Sequence, residues 1–228
     1  MEKSQTLKFE ELGGRVASVW EGLRPATRAA VERALQSAQA AAAHSAAHSA
    51  TKPAGAPYDA RSEWELSRLL TALDDRAREG AAAVLSPEQA GELVRVADAC
   101  ASVLYSEGRS AEVFAQLLER ALAARDYVRV DALSDTLTAR LAPSEICELA
   151  RNDNPALRAI ANEALALKPT GALVELLGDP VDSFVARDAL ELQAEDYGSE
   201  EARWVVNTLD RIDDEADDDE DGEEGRPA

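Results

Sequence analysis

The chain has 228 residues, of which 46% are apolar but only 4% aromatic, and its formal net charge is −20. This length allows one domain of ordinary size with tails, and the apolar fraction is enough to form a core. A surface of this charge repels phosphate, which argues against nucleic acids and anionic membranes as partners and favours basic proteins or cations. Much of the apolar content is alanine, which loses no side-chain freedom in a helix, so the composition predicts an all-helical protein.

The N-terminal segment, residues 1 to 43, has the pattern of two amphipathic helices. Its first run places five apolar residues on one helix face, which predicts a single helix: Leu12, Val16, Val19, Trp20 and Leu23. A second helix is expected to begin at Pro25, and its apolar stripe thins to alanine after Leu35. We therefore predict an N-terminal helical arm.

Residues 44 to 58 are rich in Ser, Ala, Pro and Gly, which is typical of a linker. The segment contains both histidines of the chain, His44 and His48, whose spacing would let one helix face present them to a metal ion. No Cys, Asp or Glu lies nearby to complete the coordination. We interpret the pair as solvated polar residues and assign no metal ligand here.

Residues 59 to 212 show dense helical periodicity and are predicted to form one helical-repeat domain. Breaks between helices are marked by an N-cap at Ser86, by the sequence SEGRS, and by Ala142 before a proline. Helices joined by such short turns pack as antiparallel neighbours. Three runs place apolar side chains on one helix face: Leu66, Leu69, Leu70, Leu73 and Ala77; Leu93, Val96, Ala97, Cys100, Val103 and Leu104; and Phe114, Leu117, Leu118, Ala121 and Leu122.

Two stretches near the end of this domain repeat each other. Each begins with a residue before proline, Asn154 in the first and Asp179 in the second, and the two align at a spacing of 25. A single helix pair cannot bury its own apolar face, so such units are expected to stack into a continuous core. The alignment superposes Ala161 on Ala186, Ala164 on Ala189 and Leu165 on Leu190, and in the preceding helices, at a spacing of 27, Ile146 on Leu173 and Leu149 on Leu176.

The sequence DNPALRAIANEAL, residues 153 to 165, resembles the second helix of HEAT repeats. Leu157 and Arg158 match the apolar-arginine pair of that family, and small residues follow at three-residue spacing. The second copy, Asp179 to Leu192, has Asp182 and Ser183 in place of the pair. Residues 112 to 141 match loosely, with Val128, Arg129 and Ala132 as counterparts. The short period also resembles the all-helical leucine-rich-repeat variant.

This resemblance implies an all-α fold, an α-α superhelix of HEAT-like type, that presents a long surface to a protein partner. In the family the turn Asp and the Arg mostly satisfy helix ends and link neighbouring units. Asp153, Arg158 and Asp179 are therefore expected to be structural. A TPR-like scaffold is the alternative repeat type, and it changes the name of the repeat more than the expected function.

The sequence offers few groups for catalysis. No histidine lies in the repeat region, and the chain has no glycine-rich phosphate loop, Cys-x-x-Cys motif or nucleophile elbow. Cys100 and Cys147 lie in apolar helical patterns and are interpreted as buried reduced thiols, with a disulfide or a reactive thiol as the alternative. We predict no catalytic residue, no cofactor and no enzyme activity.

Known helical-repeat enzymes provide one alternative. Metal-dependent hydroxylases of this type resemble one another in paired His-Glu motifs, which are absent here, and DNA-repair glycosylases use a basic groove, whereas residues 59 to 212 have a net charge of −13. The bilin lyases with HEAT-like repeats have less diagnostic sites. An enzyme accessory of that lyase type therefore stays as the alternative function.

The last segment, residues 213 to 228, contains ten acidic residues and one arginine. It is too charged to fold alone, so we predict a disordered acidic tail. Its role is open between solubility, an electrostatic arm for a basic protein partner, and binding of divalent cations. The candidate partner-binding residues are Asp217, Asp218, Asp219, Glu220 and Asp221.

The N-terminus carries acidic residues where a secretory signal needs an apolar run, and no segment approaches the roughly 20 apolar residues of a membrane span. The sequence therefore predicts a cytoplasmic protein. Taken with the repeat pattern, it predicts a non-enzymatic scaffold or adaptor that binds a protein partner.

Overall fold

A computed structural model describes residues 9–43, 58–80 and 85–221. Every regular element in this part of the chain is a helix, which confirms the prediction of an all-α fold. The first five helices are α1 Phe9–Leu12, α2 Gly14–Gly22, α3 Pro25–Ala43, α4 Ala60–Gly80 and α5 Pro87–Glu107. The others are α6 Ala111–Ala124, α7 Tyr127–Arg140, α8 Pro143–Ala150, α9 Pro155–Ala166, α10 Thr170–Leu176, α11 Ser183–Glu195 and α12 Glu200–Asp221.

The helix starts follow the local signals of the sequence. α3 begins at Pro25, and α5 begins after Ser86, whose side chain and that of Gln89 form a reciprocal capping box. α8 begins at Pro143 after Ala142, which has no side chain able to cap it. The carboxylate of Glu145 in α8 instead accepts a hydrogen bond from the Ala111 amide at 2.9 Å, so it caps the neighbouring helix α6.

The chain divides into two compact units, Met1–Gly108 and Arg109–Ala228. In the first unit α4 packs against α2, α3 and α5, and α3 also packs against α5. The helices expected to form an appended arm therefore belong to one unit with α4 and α5, and the division falls at Gly108 inside the predicted 59–212 domain. Most of the predicted linker, residues 44 to 57, lies outside the described residues.

The first predicted helix is broken in two, so the expectation of a single helix was wrong. Gly13 separates α1 from α2 and adopts φ 129°, a backbone conformation that strongly favours glycine. The guanidinium of Arg76 packs over this break and donates a hydrogen bond to the Leu12 carbonyl at 3.0 Å. A Cβ at Gly13 would lie 3.1 Å from the Arg76 side chain, which would then have to shift slightly, so the requirement for glycine comes mainly from the backbone conformation.

A polar network joins α3 to α4 in the first unit. The buried carboxylate of Glu65 accepts hydrogen bonds from the Thr27 hydroxyl at 2.6 Å and from the Arg24 side chain at 3.1 Å. The Arg24 guanidinium also donates to Asp59 at 2.6 Å and to Ser62 at 2.9 Å. The network satisfies a buried charge that would otherwise be strongly destabilising.

These contacts favour the ionised carboxylates. The hydrogen bond from Arg24 lowers the pKa of Asp59 well below its usual range. Burial by itself raises the pKa of Glu65, but the hydrogen bonds from Thr27 and the Arg24 amide, together with the Arg24 charge, lower it below its ordinary value. The network is therefore fully formed only where both carboxyl groups are ionised.

In the second unit, successive helices pack in pairs. α6 packs on α7, α8 on α9 and α10 on α11, while α12 packs on α11. Between pairs, α6 contacts α8, α8 contacts α10 and α10 contacts α12, and in a second layer α7 contacts α9 and α9 contacts α11. The even-numbered helices thus form one layer and the odd-numbered helices form the other.

The repeated residues occupy equivalent buried positions. Ala161 and Ala186, Ala164 and Ala189, and Leu165 and Leu190 are all buried in α9 and α11, which pack against each other. Small side chains let the two helices approach closely, and the leucines fill the space beside them. In the preceding helices Ile146, Leu173 and Leu149 are buried, whereas Leu176 is only half-buried.

Polar side chains link the helix ends of successive pairs. Lys168, after α9, donates to the Leu141 carbonyl at 2.9 Å and to the Thr138 carbonyl, so it caps the C-terminal end of α7. Gln193 of α11 donates to the Ala166 carbonyl at 2.9 Å, beside the end of α9. These bonds satisfy carbonyl groups that have no partner within their own helix.

Two turn residues expected to be structural make such contacts. Arg158 donates to the Asn152 and Asp153 carbonyls at 3.0 and 2.9 Å, and the Asp179 carboxylate accepts from the Val181 amide at 2.8 Å. They hold the turns that precede α9 and α11.

The structure describes residues 213 to 221 as a continuation of α12, where the sequence analysis expected a disordered tail. The start of α12 packs on α11 and buries Ala202, which supplies the nucleus that helix formation requires. Extending an existing helix costs less than starting one, so the acidic run continues it. Residues 222 to 228 lie outside the described residues.

Glu65→Gln tests the polar network of the first unit. The substitution removes the charge and places an amide against Arg24, so it should lower the free energy of unfolding by roughly 1 to 3 kcal/mol at pH 7. The pKa of Glu65 is lower in the folded chain, so its stabilisation is present above the unfolded pKa of about 4.3 and is lost as the pH falls toward the folded pKa. Urea unfolding at pH 7 and pH 3.5 measures both effects.

The matched control is Glu79→Gln in the same helix, where the exposed carboxylate lies 3.7 Å from Arg76. Its effect should stay below about 0.5 kcal/mol. Equal effects of the two substitutions at pH 7, or a Glu65 effect that does not shrink in acid, would contradict the assigned role.

Leu165→Ala tests the packing between α9 and α11. The side chain is fully buried, so its truncation should cost roughly 2 to 5 kcal/mol in thermal or urea unfolding. Arg158→Ala, in the same helix, loses two exposed hydrogen bonds to carbonyl groups and should cost about 1 kcal/mol. If both changes were negligible, the assigned register of the repeated helices would be wrong.

Candidate protein-binding surface

Both histidines lie outside the described residues, and both cysteines are buried. His44 and His48 belong to the undescribed residues 44 to 57. Cys100 and Cys147 are buried thiols that form no disulfide with each other, and burial raises the pKa of the Cys147 thiol to about 11. Within residues 9–43, 58–80 and 85–221 no group of three or more His, Cys, Asp or Glu side chains is placed to hold a metal ion.

A cleft of about 220 Å³ lies between the start of α2 and the last turns of α4 in the first unit. Its charged side chains hold one another: Arg15 lies 2.9 Å from Asp75, and Arg76 contacts the Leu12 carbonyl and, at 3.7 Å, Glu79. The Arg15–Asp75 and Arg76–Leu12 contacts fasten α1 and α2 to α4, which is a structural role.

One exposed apolar surface of the second unit lies on α12. Trp204 is 66% exposed and Ile212 is 57% exposed, and Thr208 lies between them on the same side of the helix. With about 3.6 residues per turn, positions four apart are neighbours along one line. We call Trp204, Thr208 and Ile212 the α12 stripe.

The α12 stripe is the outer part of a wide apolar arc on α12. This arc is wider than the face of α12 that packs against neighbouring helices. Ala202 is fully buried, and Val205, Val206 and Leu209 are half-buried beside it. Together with Trp204 and Ile212 these side chains span about 200° of the helix circumference. A helix packed on one side needs an apolar face of about 100°, so the stripe is apolar surface in excess of what the fold covers.

The side of α12 that contacts α11 is a different one. Arg203 donates to the Ala194 carbonyl at 2.9 Å, and Asp210 accepts from Arg187 at 2.5 Å. These two contacts fix the antiparallel register of the helices. By helical spacing Arg203 and Asp210 lie at least about 100° around α12 from the α12 stripe.

Beyond Ile212 the helix becomes strongly acidic. Residues 213 to 221 contain eight acidic residues and no basic one. The five predicted partner-binding residues, Asp217 to Asp221, lie on this extension of α12, and their side chains are outside what the structure describes. The structure therefore brings the predicted acidic segment into continuous helix with the α12 stripe, which the sequence analysis did not identify.

A second group of exposed apolar residues lies where α7 and α11 begin. Phe184 is 73% exposed and Val181 precedes it, while Tyr127 and Val128 occupy the first turn of α7. In the HEAT-like alignment Val128 corresponds to the apolar Leu157 of α9, but Val128 is 81% exposed and Leu157 is buried. That correspondence is wrong, because Val130 takes the inward position in α7.

A helical wheel of residues 200 to 212 would have revealed the α12 stripe from the sequence, since six apolar residues fall within one wide arc. The periodicity showed an amphipathic helix, but it did not show how much of the arc a neighbouring helix covers. Whether an apolar side chain is exposed depends on which helices pack over it, and this is decided by the tertiary structure.

Comparison of the chain with protein-family models, with curated proteins and with solved structures found no match. Among the helices described, none has both the length and the apolar character needed to cross a membrane.

Thiol labelling tests the assignment of the cysteines. Burial raises the pKa of Cys147, so the reactive thiolate is scarce near neutral pH, and Cys100 is fully buried. The native chain should react with N-ethylmaleimide at neither cysteine within minutes at pH 7.5, whereas the chain in 6 M guanidinium should gain two adducts by mass spectrometry. Rapid labelling of either residue in the native chain would show an accessible, activated thiol.

Proposed function

We propose that this chain is a non-enzymatic protein-binding scaffold or adaptor whose second unit is a HEAT-like α-solenoid. The support for the solenoid is the order of contacts in residues 109 to 221: each helix pair packs on the next, in two layers. The equivalent burial of Ala161 with Ala186 and of Leu165 with Leu190 adds to it. Such stacks function by presenting a surface to a protein partner.

The observation that carries the proposal is the uncovered apolar surface of α12. Aromatic side chains dominate the binding energy of protein interfaces, and tryptophan is enriched among the residues that matter most. Trp204 is held on a helix and lies beside further apolar side chains, which is the setting of an interface anchor. Scattered exposed apolar residues are ordinary on protein surfaces, but here they continue a buried core outward.

The proposed partner is a protein. The strongly negative net charge disfavours binding to phosphate backbones, and the uncovered apolar side chains of α12 match the surfaces that proteins bury on association. The cytoplasm stays the predicted location.

Affinity capture from a cell extract tests this function. The immobilised full chain should retain one or more proteins in stoichiometric amount, and each should bind the purified full chain in a titration. An immobilised peptide of residues 213 to 228 is the control for capture by charge alone. Retention of no protein by the full chain, or of the same proteins by the acidic peptide, would contradict a scaffold built on the helical repeats.

A further inference from the structure

We infer that the α12 stripe is the docking site for a partner helix with an apolar half and a basic half, the basic half lying against residues 213 to 221. This inference deepens the proposed function and rests on it. The apolar half would cover Trp204 and Ile212, and the basic half would neutralise the acidic extension.

The shape of the surface favours a helix as the occupant. Trp204, Thr208 and Ile212 form a line along the axis of α12, and helical spacing places positions 215 and 219 on the same line. From residue 204 to residue 221 the line is about 26 Å long, which is the length of a helix of about 18 residues. Two helices packed side by side bury such a line along its whole length, with apolar side chains meeting at three- and four-residue spacing.

The negative charge of the acidic extension favours a basic partner and disfavours a second copy of this chain. A copy docked on the α12 stripe in parallel would bring two acidic extensions together, eight acidic residues from each. Like charges so placed repel each other, and the net charge of −20 adds to the repulsion. An antiparallel copy would place the acidic extension against the other copy's Trp204, with few basic residues to receive it.

The energetics of the extension point to the same partner. Acidic residues near the C-terminal end of a helix oppose the helix dipole, and acidic pairs four residues apart repel each other. Residues 213 to 221 combine both effects at the end of α12. Lysine and arginine side chains from a partner would remove these penalties, so binding should stabilise this end of the helix while the apolar contacts hold the complex together.

The test uses the full chain and a synthetic helical peptide of about 18 residues, with Leu at helical spacing in one half and Lys and Arg in the other. A peptide of the same composition in scrambled order is the ligand control. Binding is measured by isothermal titration calorimetry at 20 mM and 500 mM NaCl. The designed peptide should bind at least tenfold more tightly than the scrambled one at 20 mM salt.

Trp204→Ala should weaken binding of the designed peptide about tenfold or more, since a buried tryptophan anchor commonly accounts for such a loss. Trp64→Ala is the matched control: Trp64 is 54% exposed on α4, where the Arg68 guanidinium lies 4.6 Å from its ring, and this change should alter binding less than twofold. Circular dichroism checks that both variants stay folded. Phe184→Ala, in the second group of exposed apolar residues, should also have little effect.

The acidic extension is tested by the triple variant Asp217→Asn, Asp218→Asn, Asp219→Asn. It should weaken peptide binding severalfold at 20 mM salt, and the difference from the unchanged chain should largely disappear at 500 mM, where exposed charges are screened. The far-ultraviolet helix signal of the unchanged chain should rise on binding by more than the peptide alone contributes.

Equal binding by the Trp204→Ala and Trp64→Ala variants, equal binding of the designed and scrambled peptides, or a loss confined to Phe184→Ala would overturn this inference. The proposed function would survive those outcomes if the full chain still binds a captured protein. Conversely, tight peptide binding that depends on Trp204 would support the docking site even before a natural partner is known.

Discussion

Each helix pair of the second unit can bury its apolar side only by packing against the next pair, and this dependence explains most of what the structure shows. α9 buries Ala161 and Leu165, and α11, packed on α9, buries Ala186 and Leu190 at the equivalent positions. α12 likewise buries one side by packing against α11 and α10. In the part of the chain that is described, nothing covers the remaining apolar side, and Trp204 and Ile212 are exposed for that reason.

Polar groups follow a related rule, because a helix end needs partners that the helix itself does not contain. Lys168 caps α7 from the next pair, Gln193 serves α9 in the same way, and Glu145 caps α6 from α8. In the first unit Glu65 plays the corresponding part for the start of α3 and holds it to α4. Neighbouring helices therefore depend on one another for hydrogen bonds as well as for burial.

Much of the local structure could be predicted from the sequence, because local signals decide it. A proline at the first helical position marks the starts of α3, α5 and α8. Matching alanines and leucines identified the equivalent helices. The helix break at Gly13 was not predicted, because the apolar spacing continues across it. Only the φ of 129° and the approach of Arg76 reveal it. Residues 213 to 221 continue α12 in the structure, and composition alone does not record the packed helix upstream, while the disordered acidic tail stays a prediction.

The candidate surface was harder to predict than the fold. The acidic residues Asp217 to Asp221 stood out by charge, but their connection to an apolar stripe depends on α12 continuing without a break. The grouping of α3 with α4 and α5 depends on contacts such as Arg24 to Glu65, which join residues 41 positions apart. Such pairings arise from tertiary packing, and periodicity within one segment contains no information on them.

We propose that protein partners bind where the fold leaves apolar surface uncovered, on α12. Hydrogen-exchange mass spectrometry of the full chain, alone and saturated with a protein that it captures, tests this claim most directly. Binding should slow exchange chiefly in residues 200 to 221, with the largest change at the acidic end, where the helix is least stable by itself. Protection confined to other helices, with α12 exchanging at the same rate in the free and bound chain, would contradict it.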